Sequence, residues 1–212
     1  HFLDVGVSGG PSGARNGACL MIGGDQRIFK KHEELFEDLS YSNSHSYIRT
    51  NVGMRTEPRK AGSYAYVGKS GAGHFVKMVH NGIEYGMMQA IGEGFEVLKQ
   101  SRFRLNLKKI AELYNQGSVI ESRLVGWLAK AFKEYGENLK DISGEVAQSG
   151  EGLWTIKTAK ELGVPVKVIE DSLKFRIKSK GDPSYTGQVV SALRNQFGGH
   201  AVNKIRRIVH TD

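Results

Sequence analysis

One long helical segment constrains the fold of this chain more than any other part of its sequence. Apolar residues recur at helical spacing between bounding glycines over residues 73–99, which predicts a single uninterrupted helix. Its length indicates a central element around which shorter helices pack. Spacing alone leaves two interpretations open for the polar residues near its start, a solvated surface with a Lys/Glu pair or a functional site. These residues are Lys77, His80, Asn81 and Glu84. The last three lie three, four and seven positions after Lys77, so all four share one helix face.

Composition narrows the class of protein. With 212 residues the chain can form one or two domains with a buried core. No apolar run approaches the roughly 20 residues that a membrane span needs, so no membrane partner is expected. No signal peptide is expected either, because the chain opens on an apolar, strand-like segment. A single cysteine, Cys19, excludes an internal disulfide and suits a reducing cytosol, which predicts a cytoplasmic protein.

The formal charge of +8 indicates either nucleic acid or small anionic ligands as partners. The basic residues are scattered, however, and no recognisable nucleic-acid-binding module accompanies them. We therefore favour an anionic substrate or cofactor over nucleic acid, and a basic surface without any such role is as good an explanation as either. No metal site is predicted.

The two parts of the chain differ in pattern. Residues 1–68 predict strands at 2–7, 18–24 and 64–68, with a helix over 26–39 and a loop over 40–63. Residues 69–212 predict only helices, at 73–99, 106–115, 118–135, 154–163, 165–178 and 186–195. In the third of these, Ser118 is the predicted N-cap and Ile120 the first residue of the buried stripe. The prediction is a mainly α protein in two domains, 1–68 and 69–212: the C-terminal half of a Rossmann-like α/β domain, then an all-helical domain around a long central helix.

Three separated segments resemble one enzyme family. Residues 4–24, with the run Ser8-Gly9-Gly10, resemble the substrate-contacting loop and following strand of the β-hydroxyacid dehydrogenases. Residues 74–85, HFVKMVHNGIEY, are similar nearly letter for letter to the catalytic helix of the 6-phosphogluconate dehydrogenases. Residues 194–200, RNQFGGH, resemble the C-terminal substrate segment of that family, especially in its shorter bacterial form. The resemblance covers nearly the whole chain.

This resemblance implies a reaction and a set of roles. The reaction is oxidative decarboxylation of 6-phosphogluconate to ribulose 5-phosphate and CO2 with reduction of NADP or NAD. Lys77 would be the base and then the acid at the C3 oxygen, and Glu84 the acid that protonates C1. Such roles require a lysine with a lowered pKa and a carboxyl with a raised one. The implied substrate-binding residues are His80 and Asn81 for the hydroxyls, Ser8, Gly9 and Gly10 for the carboxylate end, and Tyr85, Arg176, Arg194 and His200 for the phosphate. A homodimer is also implied, with Arg194 and His200 reaching the partner's site.

Two departures from the family pattern leave alternatives open. Leu153 stands where the family commonly has Lys or Arg before a Trp-Thr pair. The dinucleotide fingerprint G-x-G-x-x-G after a first strand is absent, and neither glycine cluster, 6–10 or 68–73, is taken as a substitute, because neither sits in the place that the fingerprint requires. We therefore expect a C-terminal portion of a longer enzyme, inactive alone, with the cofactor-binding residues unassigned. The alternatives are a related β-hydroxyacid dehydrogenase with another substrate and a non-catalytic helical dimerisation module.

Overall fold

The computed structural model describes residues 1–41 and 62–202. It divides into two compact units, His1–Val79 and His80–Asp212. Most of the loop predicted at 40–63 lies outside the described residues. The division into domains at residue 68 stays a prediction.

The first unit contains a sheet of three strands in the described residues, ordered β1 (Leu3–Ser8), β2 (Cys19–Gly24) and β3 (Tyr64–Gly68). The first two strands are antiparallel, with Leu3 opposite Gly24, and the second and third are parallel. Apolar side chains of β2 pack with two phenylalanines of the following helices into a small core of Ala18, Leu20, Ile22, Phe29 and Phe36. The three predicted strands are confirmed.

The short helices of this unit differ from the prediction. The sequence predicted one helix over 26–39, but the chain forms α2 (Gln26–Lys31) and α3 (Glu33–Leu39), separated at His32. Basic residues end α2 and acidic residues begin α3, which suits the dipoles of two separate helices. Helix α1 (Gly10–Asn16) was not predicted, because its two glycines indicate a turn, although Pro11 favours a helix start.

A long helix, α4 (Ala72–Gln100), begins in the first unit and continues into the second. The second unit adds α5 (Leu107–Tyr114), α6 (Arg123–Tyr135), α7 (Glu151–Glu161), α8 (Lys167–Lys178) and α9 (Tyr185–Gly198). Residues of α4 such as Met88 and Phe95 share one buried cluster with apolar residues of α5, α6, α8 and α9. The prediction of a mainly α protein with helices around a long central one is confirmed. Among the described helices, none combines the length and apolarity needed to cross a membrane.

The start of α6 corrects a prediction. The N-cap is Ser122, whose hydroxyl accepts the N–H of Val125 at 3.2 Å, whereas the hydroxyl of Ser118 donates to the carbonyl of Tyr114. Ile120 is 54% exposed and lies outside the core. Both serines are good caps in sequence. A contact that no local pattern shows favours the later one, since the side chain of Asn115 accepts the N–H of Ser122 at 3.3 Å.

Candidate active site

Helix α4 carries the polar stripe predicted from spacing. Asn81 is buried, and Lys77, His80 and Glu84 are half-buried, so these residues do not form a solvated face. The Nδ1 atom of His80 lies 3.0 Å from Oδ1 of Asn81 and 3.8 Å from Oε2 of Glu84. The imidazole, the amide and the carboxylate therefore form one polar group within about one turn of the helix.

Strand β1 approaches the part of α4 that carries Lys77. A Cβ atom at Gly6 would lie 2.6 Å from Cβ of Lys77 and 2.6 Å from the carbonyl oxygen of Gly73, so only glycine fits there. Ser8 ends β1, and Gly9, with a φ of 141°, links it to α1. The first unit thus contains Lys77 together with the predicted carboxylate-binding residues Ser8, Gly9 and Gly10.

The second unit contains a buried cation stacked on an aromatic ring. The guanidinium carbon of Arg176 lies 3.4 Å from the ring centroid of Tyr85, and Arg176 is only 1% exposed. Burial lowers the pKa of Arg176 to about 10; the negative charge of Glu84 opposes this shift and the positive charge of Arg194 adds to it. Helix α4 thus presents Tyr85, next to Glu84, to a desolvated positive charge from α8.

The charges of Arg194 and His200 interact with those of Arg176 and its neighbours. Arg194 on α9 is 8% exposed, and burial lowers its pKa against the opposing influence of Tyr85, Glu151 and Glu84. Burial and the positive charge of Arg194 also lower the pKa of His200. Arg194 and His200 are therefore electrostatic neighbours of Arg176 within one chain. That they reach the site of a partner subunit stays a prediction.

Side chains that the sequence did not single out hold the segment with His200. The Nδ2 atom of Asn195 donates to the carbonyl of His200 at 2.9 Å, and the hydroxyl of Tyr135 donates to Oδ1 of Asn195 at 2.9 Å. The ring of Phe197 meets that of His200 edge-on at a centroid distance of 6.0 Å. Asn195 thus contacts the backbone of His200, and Phe197 contacts its ring.

Among the residues that the structure describes, two polar atoms of this cluster are buried without a hydrogen-bond partner: the Tyr85 hydroxyl and Nη2 of Arg176. Such a group costs about 1–3 kcal/mol unless a ligand or water satisfies it. Gly152 allows α7 to approach, because a Cβ atom there would lie 2.6 Å from Cε2 of Tyr85. The adjacent Leu153 is exposed and carries no charge, and the arginines of this cluster lie on α8 and α9. A buried donor pair with a second arginine, Arg194, as its electrostatic neighbour is suited to the oxygen atoms of a phosphate.

Each of the two glycine clusters lies between a strand and a helix. The segment 68–73 links β3 to α4, and the segment 6–10 leads from β1 into α1. Two N–H groups at the start of α4 are nevertheless taken by the protein itself: Asp4 accepts from Gly71 at 2.7 Å and from His74 at 2.9 Å. Strands β1 and β2 are antiparallel, which is not the βαβ arrangement of a dinucleotide site. Within the described residues we therefore assign none to a dinucleotide.

The carboxyl of Asp4 is expected to make the stability of the protein depend on pH. Burial alone would raise its pKa, but hydrogen bonds from the backbone of His74 and Gly71, with the nearby His74 imidazole, outweigh burial and lower it. A carboxyl with a lowered folded-state pKa contributes stability that is present above the unfolded value, 3.8, and is lost as the pH falls through the folded value. We therefore expect the free energy of unfolding to fall as the pH is lowered from 3.8 through the folded-state pKa of Asp4.

Urea unfolding across this range measures the effect. In Asp4→Asn, which has no titrating group at this position, the dependence on pH is expected to be shallower. An equal dependence in both proteins would contradict the assignment.

Similarity to known proteins agrees with this geometry. The family description "6-phosphogluconate dehydrogenase, C-terminal domain" matches residues 73–186 and 99–212, and "NAD binding domain of 6-phosphogluconate dehydrogenase" matches residues 1–51. The chain belongs to the 6-phosphogluconate dehydrogenase family. The first unit is thus related to a nicotinamide-dinucleotide-binding domain, and the helices are related to the C-terminal domain of this family.

Individual members of the family are similar over most of this chain. YqeC of Bacillus subtilis strain 168, a provisionally assigned 6-phosphogluconate dehydrogenase, is 47% identical over 96% of the chain and 62% of its own length. The NAD(+)-dependent, decarboxylating 6-phosphogluconate dehydrogenase of Haloferax volcanii is 39% identical over 95% of the chain and 61% of its own length. The chain thus spans about three fifths of these relatives. A Plasmodium falciparum 6-phosphogluconate dehydrogenase, solved in its apo form and with NADP+ or 6-phosphogluconate, superposes with a TM-score of 0.71, 29% identity and coverage of 84% of this chain and 36% of that one.

Proposed function

We propose that the protein catalyses the oxidative decarboxylation of 6-phosphogluconate to ribulose 5-phosphate and CO2, with NADP or NAD as hydride acceptor. The observation that carries the proposal is the buried Arg176 on the ring of Tyr85, with Arg194 and His200 as electrostatic neighbours. This cluster lies next in sequence to the polar stripe of α4, since Tyr85 follows Glu84 directly. The arginine cluster favours a multivalent anion, and the polar stripe of α4 favours hydroxyl groups. A phosphorylated sugar acid carries both.

Each residue has a proposed role in the reaction. Lys77 accepts the proton of the C3 hydroxyl as hydride leaves C3, and it returns that proton to the C3 oxygen when the 3-keto acid loses CO2. Glu84 then donates a proton to the enediol carbon that becomes C1 of ribulose 5-phosphate. A nicotinamide supplies the hydride acceptor when bound. The remaining residues bind: His80 and Asn81 the hydroxyls, Ser8, Gly9 and Gly10 the carboxylate end, and Tyr85, Arg176, Arg194 and His200 the phosphate.

The proposal includes the setting of the enzyme. We place it in the cytoplasm as a homodimer. Its partner is the substrate, 6-phosphogluconate, and we propose that it binds neither nucleic acid nor a membrane. The names of its relatives support the substrate, because the Haloferax volcanii and Plasmodium falciparum proteins are both 6-phosphogluconate dehydrogenases. They support both cofactors, since the first is NAD(+)-dependent and the second was solved with NADP+.

A substrate panel on the full-length protein tests the function. With 6-phosphogluconate and either cofactor we expect one CO2 released for each cofactor reduced. Gluconate is the matched control because it lacks only the phosphate, and we expect its kcat/KM to be lower by about 100-fold or more. A preference for gluconate or for a short 3-hydroxyacid would overturn the proposal and favour a related β-hydroxyacid dehydrogenase, the alternative that Leu153 suggests.

Binding to the 212-residue chain separates an enzyme site from a purely structural module. Calorimetry with 6-phosphogluconate is expected to detect binding that is weaker for gluconate. Absence of binding to both the chain and the full-length protein would favour a helical dimerisation module instead.

A further inference from the structure

The start of α4 is held by a carboxylate from another element. Oδ1 of Asp4 accepts the N–H of Gly71 at 2.7 Å, and Oδ2 accepts the N–H of His74 at 2.9 Å. N–H groups at this end of a helix have no acceptor within the helix. Asp4 lies in β1 and is 3% exposed, so both of its oxygens are directed into the protein. One side chain thus satisfies two backbone donors.

Glycines bring the backbones around Asp4 into direct contact. A Cβ atom at Gly23 would lie 2.5 Å from Oδ1 of Asp4, and a Cβ atom at Gly73 would lie 2.6 Å from the carbonyl oxygen of Asp4. A Cβ atom at Gly73 would also lie 2.5 Å from the carbonyl oxygen of Met21. At Gly73 the backbones of strands β1 and β2 therefore meet the first turn of α4 directly. Packing at this distance leaves little freedom for the helix to slide or rotate.

We infer that Asp4 is a positioning residue for Lys77. Lys77 follows His74 by three residues, about one turn along the helix from the second N–H that Asp4 holds. Fixing Gly71 and His74 to β1 fixes the rotation of α4 about its axis, and with it the direction of Lys77. Because β1 ends at Ser8, the same contact sets the register between Lys77 and the strand that leads into the proposed carboxylate-binding residues. The inference rests on the proposed role of Lys77 as the base.

The sequence separation distinguishes this contact from an ordinary helix cap. Asp4 precedes Gly71 by 67 residues and His74 by 70. A local cap stabilises the helix end without connecting it to a strand. Asp4 does both, so its loss is expected to affect geometry at Lys77 as well as stability.

The test is Asp4→Asn in the full-length enzyme. The amide has the shape of the carboxylate but only one acceptor oxygen, so at least one of the two hydrogen bonds is lost. We expect kcat for 6-phosphogluconate to fall by about 10- to 100-fold, as for a misplaced catalytic group. KM is expected to stay within about twofold, because the proposed phosphate contacts belong to the other unit.

Glu96→Gln is the matched control. Its carboxylate also accepts a backbone N–H at the start of a helix, that of Thr186 at 3.0 Å, and the change is again acid to amide. We expect this variant to unfold at a lower temperature and to keep the kcat of the wild type while folded. Wild-type kcat in folded Asp4→Asn, or an equal loss of kcat in Glu96→Gln, would overturn the inference.

Amide hydrogen exchange provides a readout that does not depend on the reaction. We expect the amides of Gly71 and His74 to lose protection in Asp4→Asn and to keep it in Glu96→Gln. A wild-type enzyme that does not turn over 6-phosphogluconate would contradict the proposed function alone, since selective loss of protection would still show that Asp4 holds α4. Unchanged protection at both amides in Asp4→Asn would overturn the inference itself.

Discussion

Replacement of Lys77 by methionine in the full-length protein is expected to lower kcat for 6-phosphogluconate by about 10²- to 10⁴-fold, the range that a positioned general base contributes. Methionine has the same unbranched start as lysine and a similar helix propensity, so the contact of Cβ with β1 at Gly6 is kept. The variant is therefore expected to remain folded and to bind 6-phosphogluconate. Steady-state kinetics with each cofactor measure the loss, and calorimetry checks that binding is retained.

Lys69→Met is the control for this change. Lys69 is exposed and precedes α4, so the same loss of an ammonium group is expected to leave kcat within about twofold of the wild type. A Lys77→Met enzyme that keeps more than about a tenth of the wild-type kcat would exclude Lys77 as the base.

Arg176→Met is expected to weaken the binding of 6-phosphogluconate without lowering the stability of the fold. Without the buried guanidinium, the dissociation constant for 6-phosphogluconate should rise by about 100-fold, which corresponds to the loss of strong charge-assisted hydrogen bonds to a phosphate. The free energy of unfolding should stay the same or increase by about 1–2 kcal/mol, because the variant no longer buries an incompletely bonded charge. Calorimetry and urea unfolding of the same variant measure the two effects.

Arg123→Met separates this effect from a general loss of charge. Arg123 is exposed, and its guanidinium carbon lies 5.4 Å from the ring centroid of Trp127, so it too is an arginine beside an aromatic ring. We expect little change in either binding or stability. If Arg176→Met bound 6-phosphogluconate as tightly as the wild type, the assignment of the phosphate to this cluster would be wrong.

Local periodicity predicted most of the fold. The strands and α4 follow from apolar spacing bounded by glycines, which depends on residues close in sequence. The errors arose where two local solutions compete. Ser118 and Ser122 are both suitable N-caps, and the side chain of Asn115 favours the second. At His32 the charges on either side, rather than the apolar spacing, indicate the break between α2 and α3.

The sequence predicted which polar residues share one face of α4 but not their surroundings. Helical spacing placed Lys77 and Glu84 on one face because that relation is local. The stacking of Arg176 on Tyr85 and the hydrogen bonds of Asp4 join residues far apart in the chain. Periodicity carries no information about such pairs. In the case of Asp4, its place in an apolar strand was the only signal, since a carboxylate buried there requires a partner.

The carboxylate at the start of α4 also determines when this part of the protein becomes ordered. In phosphate-binding turns, the free N–H groups of a helix end are satisfied by the ligand, so part of the binding energy is used to order the turn. Here Asp4 satisfies two such groups within the folded chain. The conformational entropy of this turn is therefore lost during folding, before any ligand arrives. No part of the binding energy of a ligand is therefore needed to order this end of α4.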